Sequence, residues 1–346
     1  MLDVKVLVAP SANKVEVQHE FFDENALGPD RVLVKIAYSA ISAGTELAWI
    51  AGNSNNPTVK PFPFYPGYSS AGEVVKVGSA VEKFAVGDRV IVPWGGHRSY
   101  TPAIGTNIGK GIHKITDERV NLMEASLTHI ASFPMLGVRR LQIQMGEPVM
   151  IAGLGLLGLI SLQAARLCGA APLLACDLSP ERRKLALELG ADAVFDPTDK
   201  DFIEQVKAAA GGKGVAATVE VTGKAIALQQ ALKYTAKMGR ISLLGCTRIP
   251  DCPIDFYRDV HLPGITIIGA HTSNRPERDP RPGEWSESDD YATILKYLAS
   301  GRFNFRKLIN HVESPDDAPQ IYDNLLNSKN PPLGIVFDWS GNIKTS

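Results

Sequence analysis

The chain has 346 residues, of which 45% are hydrophobic and 21% charged, and its formal net charge is −1. This composition excludes a disordered chain, a basic nucleic-acid-binding face and an acidic tail, and the length favours two domains over one. The N-terminus lacks the pattern of a secretory signal and no apolar run has membrane-spanning length, so we expect a cytoplasmic protein without nucleic-acid or membrane partners.

The first 125 residues predict an all-β module. Short β-prone runs at 5–9, 32–37, 72–77 and 89–93 are separated by Gly and Pro residues. Gly87 and Asp88, which precede the last of these runs, form a turn signal. We therefore expect short strands joined by turns in this part of the chain.

From about Glu124 the pattern changes to an apolar helix and then to strands that alternate with helices. The predicted strands are 149–153, 173–177, 192–195, 216–221, 240–244 and 264–269. Such alternation predicts an α/β domain with a parallel, doubly wound sheet and right-handed crossovers. Further on, helices are predicted near 288–300 and 315–327, followed by a terminal strand at 334–339.

The glycine-rich stretch after the first of these strands indicates a dinucleotide site. Gly153, Gly155 and Gly158 form a Gly-x-Gly-x-x-Gly pattern, and Asp177 ends the next strand. These glycines permit a sharp turn, a close approach of backbone to pyrophosphate, and tight packing of the helix on the sheet. The helix N-terminus favours the pyrophosphate. Asp177 would accept hydrogen bonds from ribose hydroxyls and repel a 2′-phosphate, so we expect NAD rather than NADP.

Two arginines leave a phosphate site open as an alternative. Arg182 and Arg183 follow Asp177 within one helical turn, and guanidinium groups bind phosphate well.

Cysteine spacing gives no sign of a metal or disulfide framework. Cys168, Cys176, Cys246 and Cys252 all lie in the second half of the chain and form no Cys-x-x-Cys pair. This arrangement favours buried, reduced thiols. We expect no chemistry from them.

Four landmarks together carry a family resemblance. They are segment 66–78, which begins Pro-Gly-Tyr-Ser-Ser-Ala-Gly-Glu, the Val-Gly-Asp-Arg-Val at 86–90, the glycine pattern, and Leu-Ile-Asn-His at 308–311 followed by Asp-Ala-Pro-Gln-Ile-Tyr at 317–322. With them the chain resembles the medium-chain dehydrogenase/reductase superfamily over essentially its whole length. The resemblance implies a GroES-like catalytic domain at 1–125 and 273–346 and a Rossmann NAD-binding domain at 126–272.

Departures from the zinc-dependent relatives predict a zinc-free member. Those relatives carry a cysteine in a Gly-Ile-Cys-Gly-Thr-Asp segment and a Gly-His-Glu, where this chain has Ala-Ile-Ser-Ala-Gly-Thr-Glu at 40–46 and Gly-Tyr-Ser at 67–69. Hydroxyls are poor zinc ligands. No cysteine lies between Pro93 and Asp117, where many relatives bind structural zinc. A site rebuilt from Glu46, His129 and Glu124 is the alternative.

The resemblance is closer to the zinc-less, alcohol-dehydrogenase-like members whose first segment reads Ile-Ser-x-Gly-Thr-Glu, a group that is similar to bacteriochlorophyllide dehydrogenase. Without zinc, a side chain must exchange the proton of the substrate hydroxyl. The resemblance places Thr45, Glu46, Tyr68 and His129 as catalytic candidates. Glu46 has a structural alternative, bracing of the helix that follows Gly44, and Tyr68 and His129 have one as core residues. We interpret His97 as structural.

By the same resemblance, further residues line the cofactor and substrate. The expected cofactor-binding residues are Gly153, Gly155, Leu156, Leu157, Gly158, Asp177, Arg182, Thr222, Gly245, Ala270 and His271. The expected substrate-binding residues are Ser42, Ser69, Asn274, Arg275 and Trp285. Trp285 lies in a polar stretch, 275–288, that is either a lid over the substrate, an oligomer contact or a plain surface loop.

Three functions remain open from the sequence. The first is a zinc-independent NAD dehydrogenase of a secondary alcohol such as a polyol, sugar or cyclitol, with a small-molecule substrate as its partner. The second is an NAD(P)H-dependent reductase of activated double bonds or quinones, and the third is a non-catalytic NAD-binding protein. By resemblance we also expect a homodimer or homotetramer, with the apolar strand near 265–268 pairing across the dimer.

Overall fold

The computed structural model describes residues 1–52, 61–106, 111–247, 249, 253–276, 281–328 and 331–341. Its internal contacts divide the chain into two compact units. Unit 1 comprises Met1–Ile130 and Pro276–Ser346, and unit 2 comprises Ala131–Arg275. Within the described ranges, no helix combines the length and the apolar character needed to cross a bilayer.

The N-terminal segment of unit 1 is built mainly from strands. They are β1 (Leu2–Val8), β2 (Glu16–Phe22), β3 (Arg31–Ala40), β4 (Ser69–Val77), β5 (Arg89–Pro93), β6 (Tyr100–Ile104) and β7 (His113–Lys114). The helices are α1 (Ala43–Ile50), α2 (Leu122–Ala125) and α3 (Thr128–Arg140), the last of which continues into unit 2. A single-turn 3-10 helix covers Glu24–Ala26.

Unit 2 alternates strands and helices. Its strands are β8 (Val149–Ala152), β9 (Leu173–Cys176), β10 (Ala193–Phe195), β11 (Val215–Glu220), β12 (Thr235–Leu243) and β13 (Thr266–Gly269). Its helices are α4 (Leu156–Leu167), α5 (Pro180–Glu188), α6 (Phe202–Ala209) and α7 (Ala225–Tyr234). A π-helix at Phe256–His261 and a 3-10 turn at Thr272–Asn274 complete it.

The six strands of unit 2 form one parallel sheet in the order β10-β9-β8-β11-β12-β13. This is the doubly wound order, and it confirms the predicted α/β fold class. All residues of β8 and β9 are buried, as expected for central strands that helices cover on both faces. Met150, Phe202, Tyr234 and Ile241 belong to the apolar core of this unit. Burying side chains of this kind contributes about 1.5–3 kcal/mol each.

Helix α5 begins where the sequence supplies a cap. The Ser179 hydroxyl accepts a hydrogen bond from the Arg182 amide, and Pro180 occupies the first turn. This start fixes the chain directly after β9. Asp177, between the strand and the cap, is thereby held at the carboxyl end of the sheet.

The C-terminal segment returns to unit 1. It contains α8 (Glu287–Ala299), β14 (His311–Glu313), α9 (Ala318–Asn327) and β15 (Ile335–Asp338), with 3-10 turns at Arg306–Leu308 and Pro315–Asp317. Strand β15 pairs with β14 on one side and with β3 on the other. The large sheet of unit 1 therefore runs β14-β15-β3-β4-β5-β7, with β6 also on β3, while β1 and β2 form a separate antiparallel pair.

Candidate functional site

The glycine turn of unit 2 connects β8 to α4, and each glycine has a distinct steric reason. Gly153 has φ +100°, and a Cβ there would lie 2.7 Å from Cγ2 of Thr222. A Cβ at Gly158 would lie 1.9 Å from the Gly153 carbonyl oxygen. A Cβ at Gly155 would meet nothing within 4 Å. The turn is therefore tightly packed on one side and open at Gly155.

The opening lies at the start of α4, a twelve-residue helix. Gly155 is its N-cap, and within the described chain no side chain caps the helix at this residue. Leu156 and Leu157 form the first turn and are half-buried. Unpaired amides and the helix dipole favour an anionic group at such an end. The open backbone at Gly155 is where a pyrophosphate fits, so the turn suits a dinucleotide.

Asp177 is fixed by backbone amides. Its Oδ2 accepts a hydrogen bond of 2.7 Å from the Leu154 amide, and its Oδ1 accepts one of 2.9 Å from the Ser179 amide. The Arg183 guanidinium bonds the carbonyls of Asp177 and Leu178 and the Asp196 carboxylate. Arg183 is thus engaged in holding this turn. Arg182 is half-buried in the first turn of α5.

The loops after β11 and β12 lie against each other. A Cβ at Gly245 would be 2.3 Å from the Gly223 amide nitrogen, and one at Gly223 would be 2.4 Å from the Cys246 carbonyl oxygen. Gly153 adjoins Thr222, so the turns that follow β8, β11 and β12 form one continuous edge. Ligands of doubly wound sheets bind at this carboxyl edge.

Glu220 shapes the loop after β11. Its Oε1 accepts hydrogen bonds from the amide and hydroxyl of Thr222, at 2.8 and 2.5 Å, and the Gly223 amide lies 3.2 Å from both carboxylate oxygens. Burial raises the pKa of the Glu220 carboxyl, although the hydrogen bonds from Thr222 and Gly223 act in the opposite direction. Glu220 was not among the predicted site residues, because a single acid at the end of an apolar strand carries no sequence signal for this role.

Residues after β13 have mixed placements. The Ala270 amide donates to the Leu243 carbonyl, and exposed His271 caps the 3-10 turn, with its Nδ1 2.7 Å from the Ser273 hydroxyl. The Arg275 guanidinium donates to the Ser132 carbonyl at 2.8 Å and is buried. The Asn274 carbonyl accepts from Arg140. Arg275 therefore anchors this segment to α3.

In unit 1 the expected active-site hydroxyls are buried and interconnected. Tyr68 donates a hydrogen bond to the Ser42 hydroxyl. Ser69 donates to the Ser126 carbonyl at 2.5 Å and lies 3.4 Å from the Ile130 amide, so it fixes the start of α3. The structure thus brings Ser42 and Tyr68 into direct contact, whereas the hydroxyl of Ser69 is committed to the backbone.

His129 lies in an aromatic cluster next to Tyr68. Its ring centroid is 5.6 Å from that of Tyr68 and 5.1 Å from that of Trp94, both edge to face. Its Nδ1 lies 2.5 Å from the Tyr291 hydroxyl and 3.6 Å from Oε1 of Glu287. Two of the expected catalytic residues, Tyr68 and His129, are therefore neighbours, and Tyr291 and Glu287 are partners that the sequence did not reveal.

Glu46 has its own set of partners. Its Oε1 accepts from the Ser42 amide at 2.8 Å, and its Oε2 accepts from the Tyr322 hydroxyl at 2.5 Å. The same Oε2 lies 3.0 Å from Nε2 of His97. Both side chains of the Glu46–His97 pair are fully buried. Thr45, one residue before Glu46, is half-buried.

At the positions where the resemblance implies the zinc ligands of zinc-dependent members, this chain offers donor groups that do not fit that metal. Ser42, Tyr68 and Ser69 offer only hydroxyls, and these bond to each other or to the backbone. In the described part of the chain, no three His, Cys, Asp or Glu side chains are grouped so as to hold a metal ion. The described cysteines are free thiols, but only Cys176 is buried as expected, whereas Cys168 and Cys246 are exposed; Cys252 lies outside the described residues.

A pocket of about 500 Å³ opens in unit 1 beside the aromatic cluster of Tyr68, Trp94 and His129. Its lining residues are Pro61, Pro63, Phe64, Tyr65, Gly67, Trp94, Gly95, Gly96 and Arg98. Trp94 is 56% exposed and has φ +59°, a conformation that is strained for a bulky residue and that clusters at functional sites. Its ring lies 5.1 Å from that of Tyr68.

The 275–288 stretch is described only in part, since residues 277–280 lie outside the described ranges. Trp285 is 37% exposed. The following residue, Ser286, starts α8 with a capping box in which its hydroxyl and Asp289 bond reciprocally. The end of the stretch is thus a helix cap, and its role as a lid stays a prediction.

Two family models match the chain. The alcohol dehydrogenase GroES-like domain matches residues 28–114, and the zinc-binding dehydrogenase model matches residues 157–289. These matches identify the β module as GroES-like, in agreement with the predicted fold class. The two matches fall in different parts of the chain, and together they span well over half of it.

Similar proteins have dehydrogenase names. Sorbitol dehydrogenase of Bacillus subtilis is 25% identical, with 94% of both chains covered. L-threonine 3-dehydrogenase of Pyrococcus furiosus is 29% identical, with 82% of this chain and 84% of that protein covered. A protein of Sinorhizobium meliloti, solved with NADP, shares the fold with a TM-score of 0.82 at 21% identity, over 98% of this chain and 100% of that one.

Proposed function

We propose that the chain is a member of the medium-chain dehydrogenase/reductase superfamily and, within it, an NAD-dependent, zinc-independent dehydrogenase of a secondary alcohol. The observation that carries this proposal is the glycine turn of unit 2, with its opening at Gly155 and with Asp177 fixed beside it. A carboxylate at this position hydrogen-bonds ribose hydroxyls and repels a 2′-phosphate.

The engagement of Arg183 supports NAD over NADP. Its guanidinium is bonded to two carbonyls and to Asp196, so binding a 2′-phosphate would require breaking these contacts. Arg182 is then the residue through which NADP would have to be recognised, and it follows a carboxylate that repels the phosphate. We therefore propose NAD as the cofactor.

In the proposed reaction the alcohol loses a hydride from its carbinol carbon and a proton from its hydroxyl. Bound NAD supplies the hydride acceptor. His129 takes up the proton, because imidazole is the side chain suited to proton exchange near neutral pH. The Tyr291 hydroxyl fixes the ring, and the Glu287 carboxylate, 3.6 Å from Nδ1, stabilises the imidazolium that forms. Ser42 and Tyr68 hydrogen-bond the substrate oxygen.

The pocket beside Trp94 supports a hydroxylated substrate such as a polyol, sugar or cyclitol. An exposed indole offers an apolar face against which the C–H groups of a sugar can stack, and a volume of about 500 Å³ suits a small ligand. Relatives of this chain bear the names sorbitol dehydrogenase and (R,R)-butanediol dehydrogenase, both of Bacillus subtilis. We propose the same class of substrate here.

The test is NAD reduction by metal-stripped protein across a panel of polyols, sugars, cyclitols and simple alcohols. We expect turnover without metal and no gain from added zinc. The His129→Gln variant should lose most turnover with NAD affinity unchanged, and Trp94→Ala should raise KM for the substrate.

Each contrary outcome removes a defined part of the proposal. Activity that appears only after zinc is restored would refute zinc independence. No oxidation of any alcohol, together with reduction of quinones or activated double bonds, would favour the reductase alternative. NAD binding without any hydride transfer would favour a non-catalytic protein.

We also propose a homodimer or homotetramer. Strand β13 lies at one end of its sheet and pairs with β12 alone among the described strands, so its outer edge offers unpaired backbone groups. Sedimentation velocity distinguishes these states, and a monomer at micromolar concentration would contradict the proposal.

A further inference from the structure

A buried polar chain crosses unit 1 and is not used by the proposed reaction. It starts at the Trp339 indole, which donates to the Ser39 hydroxyl at 2.8 Å, and continues from Ser39 to Nδ1 of His97 at 2.7 Å. From Nε2 of His97 it reaches Glu46 at 3.0 Å, where Tyr322 also donates. Buried polar networks of this kind have large energetic consequences when one member is lost.

The hydrogen bonds of this chain are mutually consistent. The Ser39 hydroxyl accepts from Trp339 and shares a second hydrogen bond with Nδ1 of His97. Nε2 of His97 faces Oε2 of Glu46, and because a carboxylate oxygen accepts, the nitrogen is the donor of this bond. Glu46 accepts from His97, from Tyr322 and from the Ser42 amide. With these three donors the carboxylate is an acceptor held in place, which favours a positioning role over a base.

This series of hydrogen-bonded side chains contacts the backbone at both members of the Ser42–Tyr68 pair. Glu46 holds the Ser42 amide directly. The His97 ring packs against Gly67, the residue before Tyr68, and a Cβ at Gly67 would lie 2.5 Å from Cγ of that ring. The His97 amide also donates to the Pro66 carbonyl at 2.8 Å. Two separate contacts therefore set where the two hydroxyls meet.

We propose that Glu46, His97 and Tyr322 form an anchor that positions the Ser42–Tyr68 hydroxyl pair for the substrate oxygen. These three are positioning residues, since they act through Ser42 and the chain at Gly67. The assignment rests on the proposed function for the role of the hydroxyl pair. The anchor itself is a property of unit 1 that can be measured without turnover.

The test is a double-mutant cycle of melting temperature with Tyr322→Phe and Tyr68→Phe. Tyr68 donates to Ser42 and Tyr322 donates to Glu46, so roles confined to these two bonds would give additive losses. If the anchor positions Ser42, loss of the Tyr322 hydroxyl already weakens the Tyr68–Ser42 bond. We then expect about half of the Tyr68→Phe loss to disappear in the Tyr322→Phe background.

Tyr234→Phe is the matched control, because Tyr234 is an equally buried tyrosine in unit 2. It should be additive with Tyr68→Phe. If Tyr322→Phe does not fold, Trp339→Phe takes its place, since it removes the donor at the other end of the same chain. Additive losses in the folded variants would overturn the proposal.

Activity gives a second readout that a purely structural role would not produce. Tyr322→Phe should lower kcat about tenfold while the Kd for NAD stays the same, because the proposed NAD site lies in unit 2. Glu46→Gln, which keeps an oxygen for the Ser42 amide, should retain more kcat than Glu46→Ala. Non-additive melting temperatures in a protein without dehydrogenase activity would support the anchor and refute the proposed function. Dehydrogenase activity with additive melting temperatures would support the proposed function and refute the anchor.

Discussion

At the scale of single residues, Asp177 has the largest expected effect on cofactor choice. Asp177→Asn keeps the size of the side chain and an oxygen for one amide but removes the charge that repels a 2′-phosphate. Hydrogen bonds to charged groups contribute about 1.5–3 kcal/mol, so the preference for NAD over NADP should fall roughly 10- to 100-fold.

The measurement is the Kd for both cofactors by titration. Asp201→Asn is the control, because Asp201 is an exposed acid of the same unit whose carboxylate bonds Gln205. It should leave the ratio of the two Kd values unchanged. An unchanged ratio in Asp177→Asn would remove the ribose role of this residue.

Glu220 predicts a pH dependence of stability. Because burial raises its folded pKa above 4.5, the native state binds more protons than the unfolded state between 4.5 and the raised value. Stability from this group therefore falls as pH rises through that window and is constant above it. Glu220→Gln removes this titrating group and its pH dependence. The free energy of unfolding of the variant should therefore rise relative to that of the wild type as pH increases, by about 1.4 kcal/mol per unit of pKa shift.

Urea denaturation from pH 4.5 to 7.5 tests this expectation. Glu181→Gln is the control, since a hydrogen bond from Ser179 lowers the pKa of the exposed Glu181 carboxyl and places its window below pH 4.5. The stability of that variant should run parallel to that of the wild type from pH 4.5 to 7.5. Parallel curves for Glu220→Gln and the wild type would contradict the account.

Residue chemistry was predictable from the sequence only where partners are close in the chain. The glycine pattern and Asp177 lie within 25 residues of each other, so the strand, the glycine turn and the acid are visible in one segment of the sequence. His97 and Tyr322 become functional only through Glu46, which is 51 and 276 residues away respectively. No local signal marks such a contact, so His97 was interpreted as an isolated structural histidine.

At the scale of elements, the β8–α4 turn offers a matched pair of glycine substitutions. Gly158→Ala places a Cβ 1.9 Å from the Gly153 carbonyl, so it should destabilise the protein by about 1–3 kcal/mol although alanine favours helices by about 1 kcal/mol. Gly155→Ala meets nothing within 4 Å and should keep the wild-type stability.

The two variants separate folding from binding. Gly155→Ala should still weaken the binding of NAD at least tenfold, because the new methyl group occupies the surface proposed for the pyrophosphate. Melting curves and cofactor titration measure the two effects. Wild-type NAD affinity in Gly155→Ala would mean that the cofactor does not approach this turn.

Elements of unit 2 agree closely with the sequence pattern, because each strand is a short apolar run bounded by Gly, Pro or Asp. The exceptions have local causes. Strand β12 begins at Thr235, five residues earlier than predicted, and accommodates an irregular stretch that includes Met238 at φ +62°. In unit 1, strand β2 was missed because Glu16, Gln18, His19 and Glu20 interrupt its apolar residues. The π-helix at Phe256–His261 has no recognised sequence signal.

At the scale of the whole molecule, the proposed cofactor residues belong to one unit only. NAD binding should therefore protect amides near the turns after β8, β9, β11 and β12 from hydrogen exchange, by up to about 2.7 kcal/mol at a hundredfold excess over Kd. The β1–β2 pair of unit 1 is the internal control and should be unaffected. Equal protection of both regions would contradict a cofactor site confined to unit 2.

The position of β15 in its sheet has a consequence for synthesis on the ribosome. β15 lies between β14 and β3, and Trp339 bonds Ser39, so β3 cannot complete its pairing until almost the entire chain has been translated. At about 5–20 residues per second, this delay is roughly 15–60 s. Unit 2, whose strands are contiguous in sequence, can fold during that interval. The backbone groups of β3 that later pair with β15 stay unpaired until then. Nascent unit 1 is therefore where we expect chaperones to be needed.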